Sequence, residues 1–567
     1  LPNPERSAGL KTVLARKAHH RARQGSNVCY YFDEIDEQWL IDTDPNEAGA
    51  KTMNGAESLV RTMVKGGVDV CFTNPGTSEM HFVAALDRVP GMRCVLGLFE
   101  GVVTGAADGY FRMKGQPAST LLHLGPGLAN GLANLHNAKK AHSGIVNIVG
   151  QHAGYHIGYN APLTSDIEGL ARPMSSWVRT SPDAKSVAAD GAAAIAAARS
   201  SPAQIATLIL PADTAWNEAD GIAEVPAEKQ RPSYSPQAVE LAAKILRNDG
   251  NRTLLLMVGS ALTEQGLALA QRIAGKTGCQ VMGPTFRPRM ARGRGRFSID
   301  RIPYVIDQAL PMLKDFRHII LVEANDPVAF FAYPNRPSLL KPEGCEVHRM
   351  TDWGENSVAA LEALAGSLHA TSHDVRPQQL QELVKPTGAL NFTTIAQAIA
   401  YAIPENAIVV DESLTTGRGF FPPTAAAAPH DWIQNMGGSI GFSTPISIGA
   451  AIACPDRKVM CMVGDGSAMY TIQSLWTQAR ENLDIVTIVF ANRIYQILRG
   501  EFDGVGAGEP GQRATDMLRL DRPTLDFVAL AKGMGVPGRA VTNADELNKA
   551  LAEAVAEPGP RLIEVVM

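Results

Sequence analysis

An α/β fold built on open parallel sheets is predicted by three stretches of the sequence. Val459 to Val463 is an apolar run, Gly464-Asp465-Gly466 a turn, Ser467 to Asn482 a helical pattern and Ile485 to Phe490 a second apolar run, together one βαβ unit. The same rhythm starts at Met53, where a helical stretch from Ala56 to Gly67 leads to apolar runs at Val68 to Phe72 and Cys94 to Phe99. It returns at Thr253 to Val258, Thr263 to Lys276 and Gln280 to Met282. A chain of 567 residues exceeds one hydrophobic core and fits three or four domains of ~150 residues each.

Composition narrows the class. With 45% hydrophobic and 19% charged residues the chain reads as an ordinary soluble protein, and a formal charge of −5 gives no general attraction to nucleic acid. No apolar run reaches the ~18–20 residues of a membrane span. Seven scattered cysteines without a Cys-x-x-Cys pair indicate neither a disulfide framework nor a zinc site, so a reducing cytoplasm is the expected compartment.

Residues 1–52 stand apart. A basic part (Lys11 to Arg23) precedes an acidic part (Asp33 to Glu47), a pattern unlike a transit peptide, and no apolar centre marks a secretory signal. The expectation is an accessory arm, or extra residues ahead of a start near Met53.

From Met53 the elements follow in order. Asn74-Pro75-Gly76-Thr77-Ser78-Glu79 should cap a helix at Met80 to Leu86. The strand from Cys94 should end on Glu100, and Leu121-Leu122 should end on His123, both at the strand ends where open α/β sheets bind ligands. Ile145 to Gln151 is a further apolar strand. His136, His142, His152 and His156 lack metal-ligand spacing and are expected on the surface or in loops. Arg231 to Pro236 reads as a linker into the middle segment, where a strand is expected at His318 to Val322. The basic run Phe286 to Arg296 reads as an anion clamp, a solvated loop or an inter-subunit salt-bridge patch. After Lys385-Pro386 come a helix at Leu390 to Ile403, a strand at Ala407 to Val410 and the loop Asp411 to Gly417, and Leu498 to Arg519 reads as a mobile cover.

The chemistry is clearest at the first of these units. Its two strands run parallel, so Asp465 and Asn492, which follows Gly466 after 25 intervening residues, lie at the same sheet edge. A carboxylate and an amide oxygen suit Mg²⁺, and the glycines let backbone N–H groups approach a phosphate at a helix start. A Mg²⁺-diphosphate is the ligand this pattern implies.

The Gly-Asp-Gly…Asn spacing resembles the diphosphate signature of thiamine diphosphate (ThDP) enzymes. Phe99 to Tyr110, Gly125 to Asn130 and Ile145 to Gln151 resemble the pyrimidine-binding domain of the acetolactate synthase and benzoylformate decarboxylase superfamily. The resemblance runs from Met53 to Met567 and implies three Rossmann-like domains: pyrimidine-binding (53–225), central (235–370) and diphosphate-binding (386–567). It implies Asp465, Asn492 and the Ile494 carbonyl as metal ligands, although Ala491 stands where the family usually has a first Asn. Glu100 would hydrogen-bond the aminopyrimidine and favour its imino tautomer. His123 and Gln151 would lie at the reacting centre, and Thr77 matches a Ser that contacts substrate carboxylate. Thr415, Thr416, Gly464, Gly466, Ser467 and Tyr495 would hold the diphosphate end. The Gly438 carbonyl and Ile440, in Met436 to Pro445, would keep ThDP bent.

The implied activity is ThDP- and Mg²⁺-dependent decarboxylation of a 2-keto acid with carboligation to a second carbonyl, as in acetolactate synthases. A benzoylformate-type decarboxylase or C–C lyase and a non-catalytic ThDP-binding paralogue are the alternatives. The segment Pro327 to Tyr333 is apolar or aromatic where decarboxylase relatives carry a second His, which favours carboligation. FAD, carried by acetolactate synthases in the central domain, lacks a Gly-x-Gly-x-x-Gly motif here. In this family one subunit's Glu meets another's Asp, so a homodimer or dimer of dimers is expected.

Overall fold

In the computed structural model the described residues are 53–227 and 231–567, and the accessory-arm expectation for residues 1–52 lies outside them. The parallel-sheet α/β fold class is present as three sheets. The first holds β1 (Val70–Asn74), β2 (Arg93–Leu96), β3 (Ala118–Leu122), β4 (Ile145–Gln151), β5 (Trp177–Thr180) and β6 (Ile205–Pro211) in the order β2-β1-β3-β4-β6-β5. The second holds β7 (Thr253–Met257), β8 (Gln280–Gly283), β10 (Asp300–Arg301), β11 (His318–Val322) and β12 (Glu346–Thr351) in the order β10-β8-β7-β11-β12. The third has the order β17-β18-β16-β15-β13-β14-β9, from β9 (Met290–Arg292), β13 (Ile408–Glu412), β14 (His430–Gln434), β15 (Val459–Gly464), β16 (Ile485–Ala491), β17 (Gly538–Val541) and β18 (Arg561–Val566).

Every residue of β4, β7 and β16 is buried, as expected of central parallel strands covered on both faces by helices. Among the named strands of the described residues, the antiparallel pairing is that of β9 with β14. It brings the arginine run of the middle segment onto the edge of the third sheet. Arg294 of that run is exposed, but two of its arginines are neither solvated nor part of an open clamp: Arg287 and Arg292 are 1% and 2% exposed. Both guanidinium groups lie over the Phe421 ring, at 4.5 and 3.6 Å from its centroid, and Arg287 Nη2 donates to Gln434 Oε1 at 2.9 Å.

Two other expectations shift. The stretch Ser467 to Asn482 is not one helix but two short ones, Asp465–Ala468 and Ser474–Arg480. Between them Thr471 turns inward, and its hydroxyl donates to the Gly441 carbonyl at 2.9 Å. The strand from Cys94 stops at Leu96, so Glu100 does not end a strand. It is the first residue of the Glu100–Lys114 helix, because the extended Phe99 carbonyl already accepts from Val102 N.

That helix crosses the Ser443–Ala453 helix at backbone contact. A Cβ at Gly109 would collide with the Ile446 carbonyl, and one at Gly449 with the Ala106 carbonyl. Gly105 and Gly109, one helical turn apart, form the contact stripe, Gly105 against Pro445 and Gly109 against Ile446. Among the described residues no helix is long and apolar enough to cross a membrane.

Candidate active site

The metal-diphosphate half forms where β15 and β16 end side by side, with Gly464 in register with Phe490. Asp465 is 4% exposed; its carboxylate accepts from Gly466 N at 2.8 Å and Arg493 N at 2.5 Å. Burial pushes this carboxyl above its usual range, while the two amides pull it back. Asn492 Oδ1 accepts from Ile494 N at 3.0 Å, which fixes the amide beside Asp465. Gly466 lies against Tyr495, whose ring leaves no room for a Cβ, and Ser467 is buried in the first helical turn.

Across the sheet, β13 runs into the loop from Asp411 to Gly417. Leu414 takes a left-handed conformation (φ 47°), and the Thr415 hydroxyl oxygen is buried without a hydrogen-bond partner. Thr416 turns elsewhere, its hydroxyl 3.8 Å from the Met567 sulfur. An orphaned hydroxyl, a glycine cradle and a pair of hard oxygen donors fit a Mg²⁺-diphosphate.

The neighbouring loop is held from beneath by Glu412, a residue sequence reasoning passed over. Its buried carboxylate accepts from Gly441 N (2.7 Å), Ser443 N (3.0 Å) and Ser443 Oγ (2.7 Å). From above, Asn435 Oδ1 takes the N–H groups of Gly437 and Gly438, and Asn137 pairs with both backbone groups of Ser439. Gly438 and Gly441 have φ of 77° and 86°, which a side chain would strain. The result presents Ile440, half-buried, to a cavity of about 450 Å³.

The cavity lies between the middle segment and the third sheet. Phe286, Tyr304, Phe330 and Phe331 wall one side, Gly438, Ile440 and Leu414 another. Ile497, Leu498 and Glu501 of the Gln496–Gly504 helix close the rim. The expected cover is fastened here: Glu501 accepts from Tyr304 Oη at 3.0 Å and Tyr333 Oη at 2.7 Å.

In the amino-terminal part, Glu100 is half-buried and accepts from Asn130 Nδ2 at 3.0 Å. Asn134 Nδ2 donates to Gly101 O at 2.8 Å and Gly441 O at 3.5 Å, so the turn after Glu100 and the Ile440 loop share one side chain. His123 directly follows β3 at the expected strand end and stands at the N-cap of the Leu124–Lys140 helix, but its partner was hidden in the sequence. His123 Nδ1 lies 2.7 Å from Glu79 Oε2, and Glu79 also accepts from Gly76 N. Burial raises the Glu79 carboxyl, and the imidazole opposes that. Thr77 is exposed beside this pair, and Gln151 is buried with its Oε1 on His152 N.

β1, β3 and β4 are neighbours, so Thr77, Glu79, His123 and Gln151 share one sheet edge. None of them lines the cavity, nor do Glu100 and Asp465.

The four histidines expected on the surface or in loops all have defined partners, His156 among them against Tyr159, and His136 lies within the Leu124–Lys140 helix rather than in a loop. His136 Nε2 lies 3.0 Å from Gly437 O, His142 stacks on Trp353 with centroids 4.3 Å apart, and His152, lowered by burial, lies near His123 and His156. In the middle sheet the glycine turn after β7 closes on a carboxylate of the chain's own: Glu323 takes Ser260 N at 2.6 Å and its hydroxyl at 2.5 Å. An anion already fills that turn.

Residues 53–170 match the family description "Thiamine pyrophosphate enzyme, N-terminal TPP binding domain", and residues 420–565 match "Thiamine pyrophosphate enzyme, C-terminal TPP binding domain". The chain is 50% identical over 521 residues to a Mycobacterium tuberculosis protein named "Putative acetolactate synthase large subunit IlvX", covering 91% of this chain and 99% of that one. It is 32% identical over 539 residues to a Pseudomonas aeruginosa benzoylformate decarboxylase, covering 91% and 98%. The solved ThDP-dependent 4-hydroxybenzoylformate decarboxylase of Rhodococcus jostii RHA1 superposes with a TM-score of 0.78 at 26% identity, covering 91% and 99%. With both cofactor-binding regions matched and relatives aligned over nearly their whole length, the chain belongs to the thiamine pyrophosphate enzyme family that includes acetolactate synthases and benzoylformate decarboxylases.

Proposed function

We propose that the protein decarboxylates a 2-keto acid of the pyruvate kind and transfers the remaining two-carbon unit to a second carbonyl, with ThDP and Mg²⁺. When bound, ThDP supplies a nucleophilic carbon and an electron sink for loss of CO₂. Asp465, Asn492 and the Ile494 carbonyl would hold Mg²⁺; Thr415, Gly464, Gly466, Ser467 and Tyr495 would surround the diphosphate. The Gly438 carbonyl and Ile440 would keep the two rings together, and Glu100 would hold a proton at the pyrimidine. Thr416 drops from this set, because its hydroxyl faces Met567.

The observation that carries carboligation is the cavity wall at Phe286, Phe330 and Phe331, since no imidazole is among its described lining residues. The resemblance implies a second His at this segment in decarboxylases, and Phe330 and Phe331 in its place support transfer over release even with His123 of a second chain brought to the cavity. The second reading, aldehyde release by a benzoylformate-type decarboxylase, is favoured by the His123–Glu79 pair, which could deliver a proton. It needs that pair brought to the cavity.

Two chains would do so, and a homodimer is part of the proposal: His123, Gln151 and Thr77 lie away from the cavity of their own chain. Domains at 53–225, 235–370 and 386–567 follow the three sheets, with β9 crossing the second boundary. Scattered free cysteines support a reducing cytoplasm as compartment.

The test is a 2-keto acid panel with ThDP and Mg²⁺, read by mass spectrometry of all products. Acetolactate from pyruvate is the expected result. Benzaldehyde from benzoylformate without acetolactate overturns carboligation, and no turnover of any acid favours a non-catalytic paralogue, which the Ala491 departure leaves open.

A further inference from the structure

Away from the cavity, the amino ends of β11 and β12 gather three ligand-type side chains. His318 and Glu346 open these two strands and are paired in register; His348, two residues on, returns to the face of Glu346. His318 Nδ1 and His348 Nε2 are 3.3 Å apart. Glu346 Oε2 lies 3.7 Å from the first and 3.4 Å from the second.

These edges have a specific meaning. Ligand atoms in a tetrahedral shell with bonds of about 2.0–2.2 Å are spaced by about 3.3–3.6 Å. The triangle formed by the two nitrogens and the carboxylate oxygen therefore matches one face of such a shell. The remaining His318 nitrogen faces Asp249 Oδ2 at 3.9 Å, the kind of outer carboxylate that orients metal-bound imidazoles. Both rings are mostly buried, with 21% and 19% of their side chains exposed, so their positions are set by the sheet.

We propose that His318, Glu346 and His348 bind one divalent transition-metal ion of the zinc class, with water in the fourth position. Two imidazoles with one carboxylate select this class over Mg²⁺, which prefers oxygen throughout. The site thus differs in chemistry from the Asp465–Asn492 pair. β12 is the edge strand of its sheet and pairs only with β11. A shared ion would pin the start of that edge strand to its neighbour.

The experiment uses the full chain with ThDP and excess Mg²⁺, stripped of other metals and titrated with Co²⁺. The expected result is one equivalent per chain, with the visible absorption of four-coordinate Co²⁺ that Zn²⁺ then abolishes. His318→Ala and His348→Ala should each weaken binding by at least about tenfold, and Glu346→Gln should weaken it in the same direction. A His19→Ala/His20→Ala variant should bind as wild type. Should an alanine variant fold poorly by circular dichroism, His318→Gln and Glu346→Gln carry the test. Substoichiometric Co²⁺, affinity unchanged in the His318/His348 double variant, or loss confined to the His19/His20 variant overturns the site. Because metal binding is read directly, the outcome is independent of turnover on 2-keto acids.

Discussion

Glu412 is a carboxylate placed at the end of a buried strand, where its charge is costly, and three donors from a single loop meet it there. Burial raises its pKa above the ordinary 4.5, and the Ser443, Gly441 and Phe442 donors oppose that rise without cancelling it. A raised folded-state pKa means that this group's contribution to stability is complete below the unfolded value. It is lost as pH climbs through the folded value. Glu412→Gln would turn an amide NH₂ toward backbone N–H groups and should cost about 1–3 kcal/mol in urea unfolding. The gap from wild type should be larger at pH 5 than at pH 8; equal midpoints, or a gap that widens with pH, contradict the reading. Sequence alone marked Asp465 and Asn492 because the turn and strand ends that carry them are local. Glu412 and Glu79 escaped because their partners, Gly441 to Ser443 and His123, are distant in sequence. A carboxylate beside a Ser or within a turn gives no sign of which distant donors it will meet.

At the scale of elements, strands with continuous apolar runs were legible: β4, β11 and β16 lie where their sequences place them, within a residue. Breaks were not. The helix expected over Ser467 to Asn482 splits because Thr471 answers a carbonyl on another loop, a tertiary contact that local propensity does not contain. The arginine run looked solvated by composition, yet β9 adds to β14 and stacks two guanidinium groups on Phe421. Gly105 and Gly109 pack on the Ser443–Ala453 helix, a partner distant in sequence. Their packing has a sharp consequence. Gly109→Ala or Gly449→Ala forces two helix backbones apart and should lower stability by about 1–3 kcal/mol, measured as a shift in denaturant midpoint. Alanine at Gly115 meets nothing within 4 Å, but its φ of 72° brings the separate cost of a left-handed residue. It is therefore no neutral control. Alanine at the open helical position Gly366, which also meets nothing within 4 Å, should leave the midpoint unchanged or raise it slightly.

At the scale of the molecule, the chain presents two incomplete half-sites. The cavity holds Ile440 and Gly438 but neither the Thr77–His123–Gln151 edge nor Glu100, whose neighbour Gly101 is tied to the Ile440 loop through Asn134. The family resemblance pointed to a site shared between chains. The account holds that Glu100 of one chain and Asp465 of another serve the same ThDP. The most direct test co-expresses two variants, Glu100→Gln and Asp465→Asn, each expected to be inactive alone on the accepted 2-keto acid. If sites are shared, random pairing leaves half the molecules as mixed dimers with one intact site, restoring about a quarter of wild-type activity per chain. Either variant active by itself, or a mixed preparation that stays inactive while forming mixed dimers, contradicts the account.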